Sequence, residues 1–280
     1  MEAIVHYFET IPSLHRSLIL AGGIATFWLI ETAVPLFRFN YRKWRHAGVN
    51  FFFTLTTIII NFFLAFILLS ASDWVVQHEI GILQWIEMPL WATAVFGLML
   101  MDLIGAYTPH WAEHRIPLLW RFHIVHHTDQ AVDTTSANRH HPGESVIRFV
   151  FTTAAVIIIG APIWLVFLYQ SLSVVLSQFN HANLRIPSWL NSGLGWLIVM
   201  PDMHRVHHHY KLPYTDSNFG NIFSFWDRLF GTYRSADNTK LIYGVDTWMA
   251  KEEHTDIWTM LKIPFQPRRK PSSAAEEQSL

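Results

Sequence analysis

Three histidine motifs dominate the chemistry that this sequence could perform. The chain has 17 histidines against 20 lysines and arginines. Eight of the histidines form His110-x-x-x-His114, His123-x-x-His126-His127 and His204-x-x-His207-His208. Residues three or four positions apart lie on one face of a helix, with Cβ atoms about 5–6 Å apart. Two imidazoles of one helix can therefore reach a single metal ion or two adjacent ions. Eight imidazoles exceed the needs of one mononuclear site and suit a pair of metals.

Other residues near these motifs are candidates for supporting roles. A ligating imidazole usually donates its second N–H to a carboxylate, a carbonyl or water. The carboxylates close to the motifs are Asp102, Glu113, Glu144, Asp202 and Asp227. Asp102 ends an otherwise apolar segment, where an ionisable residue is costly and usually functional; a hydrated position at the membrane interface is the alternative. Five isolated histidines are expected to be ordinary surface or interface residues: His6, His15, His46, His78 and His254.

The composition indicates a membrane protein. Apolar residues make up 51% of the chain and charged residues 15%, where a soluble domain has about 25% charged residues. Three segments, at about 17–37, 49–70 and 90–107, are apolar enough for membrane helices of roughly 20 residues. A fourth, 145–179, is interrupted by Gly160-Ala161-Pro162, a strong helix breaker. It is interpreted as a hairpin of two helices, with a single kinked helix as the alternative.

Charged residues predict the orientation of these spans. Arg38, Arg42, Lys43 and Arg45 follow the first span, whereas the loop after the second has acidic residues and no basic one. The positive-inside rule then places the first loop and the histidine motifs on the cytoplasmic side. Glu2 and Glu9 stand where a cleavable signal peptide would need basic residues. The absence of cysteine excludes disulfides, thiolate ligands and iron–sulfur clusters, and the net charge of −1 gives no indication of nucleic-acid binding.

Around the motifs, the sequence resembles the fatty acid hydroxylase and sterol desaturase superfamily of membrane-bound histidine-box oxygenases. The resemblance covers roughly 102–233. Besides the three motifs in this order, it rests on Trp120 to His127, Arg139-His140-His141-Pro142-Gly143-Glu144, Phe219-Gly220-Asn221, and Trp226 to Thr232. It implies an enzyme with two iron ions that uses O2 to hydroxylate or desaturate a lipid such as a sterol or a fatty acyl chain. Zinc could occupy the site in purified samples.

The resemblance also implies which residues bind the metals. The eight histidines of the motifs are the expected ligands, and His181 is a ninth. Some relatives carry another histidine one turn before that position, where this chain has Ser177. His141 is either a tenth ligand or a residue that supports one, and His140 and His209 are expected to be neighbours. A separate electron donor is implied, such as a cytochrome b5-like protein, a ferredoxin or a reductase.

We therefore predict an all-α integral membrane protein of about four to five transmembrane helices with a cytoplasmic helical cap that carries a di-metal site. Its membrane would be the bacterial inner membrane or the endoplasmic reticulum. The predicted divisions are 1–108 for the N-terminal spans, 109–235 for the catalytic region with the hairpin at about 145–180, and 236–280 for a C-terminal segment with a disordered tail from Lys270. Two other classes of protein are alternatives. A metal transporter would place its ligands near the bilayer midplane, and a membrane-anchored zinc hydrolase needs fewer imidazoles.

Overall fold

The fold is helical throughout the residues that the computed structural model describes, 1–269. Within that range there is no β-strand, only three isolated bridges. The α-helices are α1 Glu2–Glu9, α2 Ser13–Ala33, α3 Lys43–Gln77, α4 Ile82–Trp85, α5 Leu90–Asp102, α6 Thr108–Arg115, α7 Pro117–His127, α8 Pro142–Ile159, α9 Ile163–His181, α10 Ser188–Leu194, α11 Pro201–His207, α12 Phe225–Leu229, α13 Glu252–Thr255 and α14 Ile257–Lys262. The predicted tail from Lys270 lies outside the described residues.

In the part of the chain that the structure describes, five helical segments are long and apolar enough to cross a membrane: α2, α3 with α4, α5 through α6, α8 and α9. Their outer faces are apolar. On α3, the side chains of Phe62, Phe63 and Phe66 are each about three-quarters exposed. An apolar band of this size is stable against lipid rather than water. The prediction of an all-α integral membrane protein with four to five spans is confirmed.

The spans begin and end at different residues than predicted. Helix α2 ends at Ala33 because Pro35 follows, and a proline disfavours helix in the residue before it. Helix α3 starts at Lys43, and its polar first turns contact the loop that follows α7 through His46 and Asn50. Helix α5 does not stop but passes through a π-helical turn, Leu103–Tyr107, directly into α6. π-Helical turns occur often at functional sites.

The fourth apolar region forms two helices, as predicted. Helix α8 ends at Gly160, whose positive φ of 72° suits glycine, and α9 begins after Pro162. Both helices pack against α5. The close approach of α5 to α9 depends on Gly97, where a Cβ atom would lie 2.4 Å from Leu165. Pro142 and His181 therefore lie at the same end of the bundle.

That end of the bundle carries a cap made of α7, α10 to α14 and the loops between them. Long-range polar contacts join the cap to the spans: Glu31 of α2 accepts from the Thr134 N–H, and the Asn50 amide of α3 donates to the Thr135 hydroxyl. At the opposite end the contacts are between loops and helices, such as Gln84 with the Gly160 carbonyl. The bundle thus has two different ends, and the histidines lie at the capped one.

Candidate metal centre

Five of the motif histidines converge on one point, which we call cluster A. They come from α6, α7 and α11, and each offers one ring nitrogen within 4.8 Å of the others: His110, His114, His123, His127 and His207. The Nε2 atoms of His110 and His207 are 2.9 Å apart, and those of His123 and His127 are 3.2 Å apart. The spacing on each helix turns these imidazoles to one side, as the sequence predicts, and the fold brings the three helices together.

Four more histidines form a second convergence, cluster B: His126, His181, His204 and His208. His181 is the last residue of α9, which returns it to the cap beside α7 and α11. Its Nε2 lies 3.1 Å from the Nε2 atoms of His126 and His204, and 3.2 Å from that of His208. Adjacent histidines in the motifs separate, so that His127 and His207 face cluster A while His126 and His208 face cluster B.

The nitrogen atoms of cluster B fit a cation better than they fit one another. His181 donates through Nδ1 to the Ser177 carbonyl at 2.7 Å, so its Nε2 has a single lone pair and no hydrogen. One lone pair cannot accept hydrogen bonds from three imidazoles at once. Nitrogen atoms 2.9–3.2 Å apart suit the edges of a polyhedron around a metal ion at about 2.0–2.1 Å. Both clusters could hold a metal ion.

Burial favours the neutral form of the motif histidines in the cap. Burial lowers the pKa of His204, His207 and His208 well below the usual range, and neighbouring imidazoles lower it further. The same causes act on His126 and His127. A neutral imidazole is the form that binds metals. Deprotonation therefore adds little to the cost of metal binding.

Most histidines of cluster A have a partner for the second ring nitrogen. His110 Nδ1 donates to the Phe219 carbonyl at 2.9 Å, and His207 Nδ1 donates to the Ser217 carbonyl at 2.7 Å. Glu144 lies 2.8 Å from His123 Nδ1. The fourth partner is Asp216, 3.3 Å from His114 Nδ1. No local pattern predicts the two carbonyls or Asp216, and the loop that supplies them is more than a hundred residues from His110 and His114.

Asp102 and Asp227 act on that loop rather than on an imidazole. Asp102 accepts hydrogen bonds from the N–H groups of Ile222 and Phe223, both at 3.1 Å. Asp227 accepts from the N–H groups of Phe219 and Gly220, both at 2.8 Å. Each carboxylate is fully buried. Together they fix the loop whose Phe219 carbonyl orients His110, so they support cluster A indirectly.

Glu113 and Glu144 share a buried network with Arg148 of α8. The guanidinium donates to Glu113 at 2.7 Å and to Glu144 at 2.9 Å. Glu113 is 3.6 Å from His123 Nδ1, beyond hydrogen-bond distance, so Glu144 is the carboxylate that contacts this histidine. Glu144 also contacts His140 Nδ1 at 2.7 Å. Arg148 neutralises carboxylates that would otherwise be costly to bury.

Asp202 and His141 lie apart from the two clusters. Asp202 pairs with Arg205 in the first turn of α11 and contacts no imidazole. The ring of His141 is engaged at both nitrogens. Nδ1 accepts from the Gly143 N–H at the start of α8, and Nε2 is 3.3 Å from the Leu261 carbonyl. His209 accepts from the Ile242 N–H and is also outside both clusters.

His46 is not the ordinary surface residue that the sequence suggested. Its ring is nearly buried, with Nε2 at 2.9 Å from Asp129 and Nδ1 at 3.2 Å from Asp133. Carboxylates on both sides of the ring favour hydrogens on both nitrogens, and hence a charged imidazolium. Burial alone would raise the pKa of Asp129, but the charges of His46 and Arg139 outweigh it and hold that pKa well below its usual range. The sequence does not reveal this role of His46 because Asp129 and Asp133 are distant from it along the chain.

Comparison with known proteins agrees with this geometry. Residues 94–232 match the model of the fatty acid hydroxylase family, and this range contains every histidine of clusters A and B. The chain belongs to the fatty acid hydroxylase superfamily. The resemblance inferred from the motifs is confirmed.

Curated relatives of this superfamily act on different lipids. An ornithine lipid hydroxylase of Rhizobium tropici is 25% identical over 152 residues, covering 54% of this chain and 44% of the relative. Human alkylglycerol monooxygenase is 26% identical over 170 residues, covering 58% of this chain and 34% of the relative. A very-long-chain aldehyde decarbonylase of rice is 24% identical over 166 residues, covering 58% and 61%. The matches thus span less than two thirds of each relative. No solved structure gives a significant match.

Proposed function

We propose that this protein is a membrane-bound iron oxygenase that hydroxylates a lipid, with one iron ion in cluster A and one in cluster B. The observation that carries the proposal is the convergence of nine imidazoles into two groups at one end of five membrane helices. A transporter would place its ligands within the bilayer. A hydrolytic zinc site would need one group of three protein ligands.

The relatives support a lipid substrate. Two of them are named as hydroxylating or monooxygenating enzymes for an ornithine lipid and an alkylglycerol. Desaturation is the alternative outcome for the same centre, since loss of a second hydrogen gives an alkene. The apolar outer faces of the spans would hold the centre beside a bilayer, where a lipid substrate is found.

Bound iron would supply the capacity to activate O2 for attack on an unactivated C–H bond. The protein itself orients the imidazoles and excludes water from the two clusters. The Phe219 and Ser217 carbonyls keep hydrogen on Nδ1 of His110 and His207, which leaves each Nε2 lone pair directed inward. The imidazoles of both clusters are shielded from solvent, so competing reactions with water are limited. We propose that His141 positions the start of α8 and does not bind iron.

The orientation of the protein is also a proposal: the capped end faces the cytoplasm. Among the described residues, every lysine and arginine except Arg16 lies in the cap or at the capped ends of the spans. Because the chain has no cysteine, single cysteines can report sidedness. A cysteine at exposed Lys240 should react only from the cytoplasmic face and one at Glu87 only from the opposite face. Labelling of both from one face would contradict the five-span arrangement. Asp129 is fully buried and unsuitable for labelling.

The function is tested by metal content and product together. The purified chain, loaded with iron, should hold close to two ions and should convert lipids of its native membrane to products one oxygen heavier. The conversion should require O2 and a reducing protein, here a cytochrome b5-like protein or a ferredoxin with its reductase. Lipid mass spectrometry under 18O2 checks the origin of the oxygen. Full activity with zinc alone, or a stoichiometry near one, contradicts the proposal.

A further inference from the structure

A cavity of about 270 Å³ opens on the cap beside cluster A. Helix α7 forms one wall, and the segment from Ile263 to Arg269 with the Thr247-Trp248 turn forms the others. Its apolar lining includes Trp120, Ile124, Trp248 and Ile263. The volume is near the lower end of the roughly 300–1,000 Å³ of small-molecule sites. A headgroup with its first carbons would fit, whereas a whole lipid would not.

The rim of the cavity is cationic. Three arginines line it: Arg121, Arg268 and Arg269. Arg269 lies over the Trp248 ring at 3.6 Å and pairs with Glu253, so its charge is already matched. Arg121 and Arg268 have no hydrogen bond or ion pair to any residue between 1 and 269. Two unmatched guanidinium groups above an apolar floor are suited to an oxyanion that carries an alkyl chain, because guanidinium binds phosphate and carboxylate in bidentate fashion.

One side chain separates the cavity from cluster A. The indole of Trp120 lines the cavity, and its ring centroid is 4.7 Å from that of His114 and 5.4 Å from that of His127. A molecule held in the cavity would therefore contact a residue that itself packs against two of the proposed iron ligands.

Exposed apolar residues flank the cavity on segments that also line it. Phe265 is 73% exposed, and Leu118, near the start of α7, is 64% exposed. Exposed apolar side chains of this kind are more stable in contact with lipid than with water. The cavity thus has exposed apolar side chains beside it and arginines at its rim.

We propose that this cavity binds the phosphate or carboxylate headgroup of the lipid that the iron centre oxidises, with Arg121 and Arg268 as its ligands. The inference rests on the proposed function for the identity of the bound lipid as substrate. An acidic electron-carrier protein is the competing occupant. The apolar lining and the exposed apolar flanks favour a lipid, because a protein would meet the rim but leave the apolar lining unfilled.

Equilibrium binding tests this without turnover. The full-length protein in an uncharged detergent is titrated with two matched pairs of probes: dioctanoyl phosphatidic acid against dioctanoylglycerol, and dodecanoate against dodecanol. At least one acidic probe should bind more tightly than its neutral counterpart. R121Q/R268Q should weaken that binding about tenfold, as expected for the loss of charge-assisted hydrogen bonds. R268Q alone, at an exposed position, should weaken it by a smaller factor.

The control variant K211Q/K240Q removes two positive charges elsewhere on the cap. Equal weakening by the control would show general charge attraction and overturn the inference. Binding of glycerol phosphate as tight as that of phosphatidic acid would mark an anion site without a lipid role and overturn it too. Unchanged lipid binding in R121Q/R268Q would also overturn the inference. If the donor protein then reduced the iron centre of this variant more slowly, the two arginines would be assigned to the binding of the donor. Because no oxidation is measured, failure of this site leaves the proposed function standing, and failure of the proposed function leaves the binding result standing.

Discussion

Clusters A and B use the same residue type at similar burial but differ in how their imidazoles are held. In cluster A, four of the five histidines have a partner on the second ring nitrogen: a carbonyl for His110 and His207, and a carboxylate for His123 and His114. In cluster B, within residues 1–269, this is true of His181 alone. The Nδ1 atoms of His126, His204 and His208 are buried and form no hydrogen bond with any residue of that range. Partners on the outer nitrogen fix ring orientation and raise the affinity of the inner one. Cluster A is therefore expected to be the tighter iron site.

The largest effect is expected from removal of one ligand in each cluster. His207→Ala should lose the iron of cluster A, and His126→Ala that of cluster B, because no other side chain can fill either coordination position. Iron per chain should fall from about two to about one in each variant, and lipid oxidation should be lost in both. His6→Ala, at an exposed position, is the control and should retain iron and activity. If either cluster variant keeps both ions, the division into two clusters is wrong.

Removal of metal by a chelator tests the difference in affinity directly. The His207→Ala chain retains only cluster B and the His126→Ala chain only cluster A, so competition with a ferrous chelator measures each site alone. Loss of outer partners typically costs about 10–100-fold in metal affinity. Cluster B should therefore release iron at a chelator concentration at least about tenfold lower. Equal affinities would mean that packing orients the imidazoles of cluster B as well as hydrogen bonds orient those of cluster A.

A smaller effect is expected from weakening one partner. Glu144→Gln keeps the shape of the side chain but removes the charge that faces His123 Nδ1, so cluster A should lose about tenfold in iron affinity. Cluster B, which Glu144 does not contact, should be unchanged. Asp202→Asn is the matched control, because that carboxylate also lies near a motif but contacts no imidazole. Chelator competition on the single-site chains separates the outcomes; an equal loss in both clusters would indicate general destabilisation.

The sequence predicts the imidazoles that face the metals far better than the groups that contact the second ring nitrogen of each imidazole. Spacings of three and four residues on a helix determine which imidazoles share a face, so the eight motif histidines could be selected from local pattern alone. The outer partners depend on contacts across the fold. Asp102 and Asp227 lie near the motifs in sequence yet hold backbone N–H groups, whereas Asp216 follows the third motif and contacts His114 of the first.

The contacts of His46 could not be predicted either, because they join residues far apart in the sequence. His46 has no histidine at helical spacing, and its partners, Asp129 and Asp133, are more than eighty residues away. Contacts between residues that are distant in sequence also limit how much of the fold can be predicted. Hydropathy predicts the number of spans, and Gly160 with Pro162 predicts the break between α8 and α9. The position of α5 between those two helices depends on side-chain fit at Gly97. A hydropathy profile carries no information about such fit.

The smallest effect is expected from adding a ligand to the weaker cluster. Ser177 precedes His181 by one turn on the same face of α9, and its carbonyl already accepts from His181 Nδ1. Ser177→His would bring cluster B to five imidazoles, the number in cluster A. In the His207→Ala background, iron affinity should rise by a few-fold in chelator competition. Ser171→His places the same side chain further along α9, away from the cluster, and should leave affinity unchanged. A rise in both would reflect adventitious binding by an added histidine. No rise in Ser177→His would show that cluster B is limited by the missing outer partners of His126, His204 and His208 and not by the number of its ligands.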